Sequence, residues 1–282
     1  MGPHSLLSCI NPAWWFRRRP TIGVLRLAGP IGLPSPLRNR GLSMSSLAGP
    51  LERAFTLRNL RAVALAINSP GGSAVQSSLI AKRIRDLAAK RQVPVLAFVE
   101  DIAASGGYWL ATAADEIYAD PSSILGSIGV VSAGFGFTEL LQRVGIERRI
   151  HTAGTRKAML DPFRPEQAED LARLSQLQQD MHENFKTQVR ERRGSRLKGE
   201  ESELFSGDIW TARAALERGL IDGIGDLRSV LRQRYGDEAL LIPVTQPRGW
   251  LRRRLGLEQP EGWAEQMLAA IEERALWARY GL

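Results

Sequence analysis

A chain of 282 residues with 44% hydrophobic and 24% charged side chains has the material for one large buried core and the composition of a globular protein. Its formal charge is +8, from 38 basic and 30 acidic residues, but no nucleic-acid-binding motif accompanies the excess, so nucleic acid is not an expected partner. The single cysteine, Cys9, excludes an internal disulfide, and His4, His151 and His182 lack any metal-ligand spacing, so neither a metal nor another cofactor is expected.

Residues 1–20 read as an irregular tail, basic and aromatic, without the apolar stretch of a signal peptide. No run of 18 apolar residues occurs anywhere, so the expectation is a cytoplasmic protein without a membrane-spanning helix, with attachment at the membrane surface as the alternative. A main domain over 21–245 opens with a β-rich segment, Ile22–Ile31. A loop rich in Pro, Gly and Ser follows over 32–50, with a short helix after it. Ala62–Asn68 is a buried strand. The helix after it, about 74–91, places Val75, Leu79, Ile80, Ile84 and Leu87 at helical spacing. Val93–Val99 is the next strand, Ser105–Ala114 a short helix, Glu116–Ala119 a strand and Glu139–Val144 a helix. Arg148–Thr152 reads as a strand, and 165–192 as a long helix with Leu171, Leu174, Met181, Phe185 and Val189 on one face. Helices over 211–218 and 226–235 and a strand over Ala239–Val244 complete the domain. Continuous apolar runs alternating with helices predict an α/β fold with a mostly parallel sheet. Residues 246–282 form a basic, Trp-containing segment with a candidate amphipathic helix over 261–280.

Two glycine-rich turns carry the first chemical signal. Ser69-Pro70-Gly71-Gly72-Ser73 lies between a strand and a helix, where backbone amides free of a Cβ could bind an anion or a developing oxyanion; a tight structural turn explains it equally well. Ala104-Ser105-Gly106-Gly107-Tyr108 is a second such turn. It would expose a serine hydroxyl beside a backbone amide, or simply cap a helix with that serine.

These two motifs, then Gly126-Ser127-Ile128-Gly129-Val130, then Ala153-Gly154-Thr155-Arg156-Lys157 with Leu160-Asp161-Pro162-Phe163, resemble the signal peptide peptidase A family of the ClpP/crotonase superfamily. The resemblance runs in order from about residue 22 to 244 and includes Phe205-Ser206-Gly207 and Gly219-Leu220-Ile221-Asp222. It implies a spiral of ββα units around a mostly parallel sheet, often assembled into rings, and a serine peptidase. By the same resemblance Ser105 is the nucleophile, Lys157 the general base, and Ser127 the hydroxyl that orients the lysine amine. Gly106 and one of Gly71 or Gly72, with Gly71 slightly preferred, are the oxyanion donors.

The chemistry is coherent with that reading. A lysine, charged at its reference pKa of about 10.4, becomes a usable base only where an apolar surrounding disfavours the ammonium. The expected partners are short, apolar or unfolded peptides, remnants of signal peptides among them, and further copies of the chain. A catalytically silent scaffold of the same fold and an acyl-CoA-binding crotonase-type enzyme are the alternatives, and His151 is the one histidine considered as a competing base. Trp14-Trp15-Phe16-Arg17-Arg18-Arg19 and Trp250-Leu251-Arg252-Arg253-Arg254 share a composition that suits either a neighbouring subunit or an anionic membrane surface.

Overall fold

The computed structural model describes residues 19–32, 41–244, 277, 278, 280 and 281. The expectations for residues 1–18, for Trp250–Arg254 and for most of the 261–280 helix therefore lie outside the described residues. Among the described residues eight strands form one sheet: β1 (Thr21–Ala28), β2 (Leu60–Ser69), β3 (Val95–Ala104), β4 (Glu116–Ala119), β5 (Ile124–Gly126), β6 (Ile209–Thr211), β7 (Gly223–Ile224) and β8 (Leu240–Val244). The order is β6-β5-β3-β2-β1-β8, with β4 also pairing β3 and β7 pairing β4. Every pairing is parallel except β5 with β6. The α/β class and the mostly parallel sheet agree with the sequence.

Parallel pairing follows from burial on both faces. In β2 the run Ala62–Ile67 is buried throughout, because alternate residues face two different layers. One face, with Val63, Leu65 and Ile67, packs beneath α1 (Met44–Phe55), α2 (Ala74–Arg91) and α3 (Gly106–Ala111). The other, with Ile22, Ala62, Ala64, Leu96 and Phe98, is covered by Leu231 of a later helix over 227–235. The α2 stripe is narrower than expected. Ile80, Ile84 and Leu87 are buried, whereas Val75 and Leu79 are exposed, because Ser77, Ala81 and Ala88 supply the close contacts instead.

The chain then leaves this core. From Val131 to Pro165 it forms an extension containing only α4 (Thr138–Arg143), and Val131, Phe135, Leu140, Val144 and Ile146 on it are exposed. Arg148–Thr152 is not a strand: it pairs with no strand of the sheet among the described residues, and with Ile150 as its one apolar side chain it has little to bury against a neighbour. The long helix α5 (Ala168–Arg193) returns to the core only at its C-terminal end, where Phe185 and Val189 are buried; Leu171, Leu177 and Met181 are exposed.

An ion pair locks that end. The Arg193 side chain, 1% exposed, donates to both Asp222 carboxylate oxygens at 2.7 and 3.1 Å and to the Gly219 carbonyl at 2.9 Å. Asp222 also accepts the Ile117 N–H at 2.7 Å, which ties α5 to β4. The short helices α6 (Glu201–Leu204) and α7 (Ala212–Glu217) and the covering helix α8 (Leu227–Tyr235) complete the described chain. Among the described residues no helix is long and apolar enough to cross a membrane.

Candidate active site

The parallel strands deliver three turns to one place. At the end of β3, Ser105 begins α3 with φ 51° and ψ −121°, a conformation a non-glycine residue rarely adopts. Its side chain does not cap the helix, so the capping explanation is not realised. The hydroxyl faces a cavity of about 670 Å³ lined by Gly71, Gly72, Ser105, Gly106, Ser127 and His182, among others.

The two glycines of the first turn differ. The Gly71 N–H donates to Ser69 Oγ at 3.3 Å. Around Gly72 the chain runs parallel to Ile31: Ile31 N–H donates to the Gly71 carbonyl at 2.8 Å, and Ser73 N–H donates to the Ile31 carbonyl at 2.7 Å. That pairing turns the Gly72 N–H away from Ile31, and it has no acceptor among the described residues. A Cβ on Gly72 would lie 2.0 Å from the Ile31 oxygen, so no other residue fits this backbone. The Gly106 N–H, first in α3, likewise has no intrahelical acceptor. Gly72 N lies 3.4 Å from where a Cβ on Gly106 would stand, which places the two turns side by side.

Ser127 reaches the same cavity from the end of β5, also at positive φ, 52°. Its N–H donates to the Asp208 carbonyl at 2.6 Å. Apolar side chains form part of the remaining wall: Trp109 stacks on Phe185 at 4.8 Å between ring centres, and Val130, Val131 and Met181 join them, alongside the polar Ser73 and Ser206. Tyr280, near the far end of the chain, also contributes to it.

Lys157 is not part of this cavity. It lies exposed in a turn of the extension, and the ammonium has no hydrogen-bond or ion-pair partner among the described residues. The structure thus brings Ser105, Ser127, Gly71, Gly72 and Gly106 together and leaves Lys157 apart from them. His151 is exposed on the same extension. His182 is the histidine that reaches the cavity, which its isolated place in the sequence gave no reason to expect. Its Nε2 lies 3.0 Å from the Ile128 carbonyl, which can only accept, so Nε2 carries the proton and Nδ1 the lone pair in the neutral ring. Among the described residues no group of three or more His, Cys, Asp or Glu side chains is placed to hold a metal ion.

Comparison with known proteins agrees on a family. The sequence model of Peptidase family S49 matches residues 88–239, more than half of the chain. A chloroplastic serine protease SPPA of Arabidopsis thaliana is 32% identical over 216 residues, 74% of this chain and 31% of that protein. A protein of Brucella abortus named Na(+)/H(+) antiporter NhaA is 52% identical over 272 residues, 93% of this chain but 37% of that protein. The chain thus spans about a third of the length of these two relatives. A solved serine-to-alanine mutant of the 1510-N membrane-bound stomatin-specific protease aligns over 79% of this chain and 93% of its own, at 16% identity and a TM-score of 0.47.

Proposed function

This chain belongs to peptidase family S49, and we propose that it hydrolyses peptide bonds with Ser105 as nucleophile and Lys157, supplied by a second copy, as general base. The observation that carries the reading is the strained Ser105 turn beside the unpaired Gly72 and Gly106 amides. A hydroxyl held at such a turn, with two donors aimed into one cavity, is the arrangement acyl transfer requires.

In the proposed reaction Lys157, as the neutral amine, takes the Ser105 Oγ proton while Oγ bonds to the scissile carbonyl carbon. The Gly72 and Gly106 N–H groups donate to the oxyanion that forms. The C–N bond breaks as Lys157 returns the proton to the leaving amine; water, deprotonated by the same amine, then bonds to the acyl carbon and displaces Ser105 Oγ, which takes that proton back from Lys157. Ser127, on the cavity wall, would orient the amine.

Two features support a second copy. Lys157 is exposed in the single chain, whereas a lysine base needs a desolvated surrounding. The extension that bears it exposes Val131, Phe135, Leu140, Val144 and Ile146, an apolar surface suited to burial against another subunit. The apolar walls of the Ser105 cavity suit apolar or unfolded peptide segments. The antiporter name of the Brucella relative belongs to a protein of which this chain matches 37%, and transport is not carried over with it.

His182 motivates a second reading, in which Nδ1 replaces Lys157 as the base. Labelling by a fluorophosphonate tests both. Label should bind the wild type, be lost in Ser105→Ala, be strongly slowed in Lys157→Ala and persist in His182→Gln. Persistence in Lys157→Ala with loss in His182→Gln would favour the second reading.

A further inference from the structure

The turn that carries Lys157 is fastened at both ends by carboxylates. Beyond it Asp161, with its side chain 5% exposed, accepts the Phe163 N–H at 3.1 Å and pairs with the Arg148 guanidinium. That guanidinium lies over the Phe163 ring, 4.3 Å from its centre, and Phe163 packs on Phe137 at 5.5 Å. The Phe137 N–H closes the group by donating to the Pro162 carbonyl at 2.6 Å. Within the turn and toward α5, Arg156 pairs with Glu169, and the Leu160 N–H donates to Asp170 at 3.3 Å. Leu160 is held at φ 56°, a conformation that persists only where its surroundings determine it.

The chemistry of Asp161 is not that of a surface ion pair. Burial alone would raise its carboxyl, but the Phe163 N–H and Arg148 outweigh it and hold the carboxyl below the usual range. Its Oδ2 is buried without a hydrogen-bond partner among the described residues, and the Arg164 Nε lies 3.8 Å from it. A carboxylate kept in this state, in an extension with no sheet and little core of its own, acts on the shape of the turn. The Lys157 N–H donates to the Gly154 carbonyl at 3.2 Å, but its side chain has no hydrogen-bond or ion-pair partner among the described residues to fix it otherwise.

We propose that Asp161 is a positioning residue for the general base: with Arg148 and Phe163 it sets the turn from which the Lys157 side chain reaches its Ser105. The proposal rests on the reading of Lys157 as the base. Displacement of a reacting group by about 1 Å costs on the order of a hundredfold in rate, so the turn does not need to unfold for the effect to be large.

The test uses the full chain and two readouts, hydrolysis of a short apolar peptide p-nitroanilide and the rate of Ser105 labelling by a fluorophosphonate. Asp161→Asn keeps the size of the side chain and an acceptor for the Phe163 N–H but removes the charge that holds Arg148. Its kcat should fall about a hundredfold at unchanged KM, with wild-type melting temperature and solution mass. Added to Lys157→Ala, it should slow labelling no further, because a residue acting through Lys157 has nothing left to position. Wild-type kcat in Asp161→Asn, or a labelling loss repeated in full on the Lys157→Ala background, would overturn the proposal. Should Asp161→Asn fail to fold, Arg148→Lys, which retains the charge and loses the stack on Phe163, is read in the same way. Wild-type labelling in Lys157→Ala is a different failure, that of the base assignment itself.

Discussion

The Ser105 N–H donates to the Gly126 carbonyl at 2.8 Å, so the turn that bears Ser105 is tied, backbone to backbone, to the turn that bears Ser127. Gly126 holds φ 106°, and a Cβ there would meet the Trp210 ring at 2.6 Å and the Asp208 oxygen at 2.7 Å. Gly126→Ala should therefore shift both serines together. We expect a stability loss of about 1–3 kcal/mol from overpacking, and a fall in kcat larger than that of a core variant of equal stability loss elsewhere, such as Leu231→Val. Denaturant unfolding and steady-state kinetics on the same preparations check this.

The two glycines of the first turn should separate in function. Gly72→Ala forces the backbone away from Ile31 and misdirects the free amide, and should cut kcat by about 10²–10³-fold. Ser69→Ala removes the acceptor of the Gly71 N–H without moving the Gly72 N–H, and should cost less than about tenfold if one oxyanion donor carries most of the effect. Equal losses in the two variants would show that the conformation of the whole turn, held in part by the Ser69 hydroxyl on the Gly29 carbonyl, sets the rate rather than the Gly72 N–H alone.

The pH dependence of turnover distinguishes the candidate bases. A lysine accepts a proton only as the neutral amine, so kcat/KM should rise with pH along a limb above neutrality. His182→Gln should lower the plateau at most modestly and leave the limb where it is. A limb near pH 6–7 that vanishes in His182→Gln would assign the base to the imidazole, whose reference value is about 6.5.

Acid stability should depend on Asp222. Burial would raise its carboxyl, but Arg193, the Ile117 N–H and Arg196 outweigh it and lower it below the ordinary value. A carboxyl depressed in the folded state contributes stability that is complete above its unfolded value, near 3.9, and is lost as pH falls towards the folded one. The melting temperature should thus decline below about pH 4, and less steeply in Asp222→Asn. Asp222→Ala, which leaves Arg193 buried without its partner, should cost about 3–5 kcal/mol at neutral pH.

Much of this was legible in the residues. Ala62–Asn68 and Val93–Val99 read as buried parallel strands because both faces are covered, and the serine and glycine turns at strand ends read as a site. β5, β6 and β7 were not legible, being two or three residues long and defined by their neighbours rather than by any period. Val75 and Leu79 have helical spacing but stay exposed, and Arg148–Thr152, with Ile150 as its one apolar side chain, joins no sheet edge among the described residues. His182 reads from the sequence as an isolated histidine on a helix surface, because its place in the cavity depends on how α5 returns to the core. The separation of Lys157 from Ser105 is likewise tertiary: it follows from the direction in which the extension leaves the core, which no local motif encodes.

Complementation between two inactive variants tests the central claim most directly. Ser105→Ala and Lys157→Ala, co-expressed with different tags and isolated as mixed assemblies, are each expected to be inactive alone. If Ser105 of one copy works with Lys157 of another, random assembly at equal abundance leaves about a quarter of the sites with both intact residues, and the mixture should regain about that share of wild-type turnover. Mixed assemblies that remain at the background of the single variants would contradict the account, as would wild-type turnover in Lys157→Ala alone.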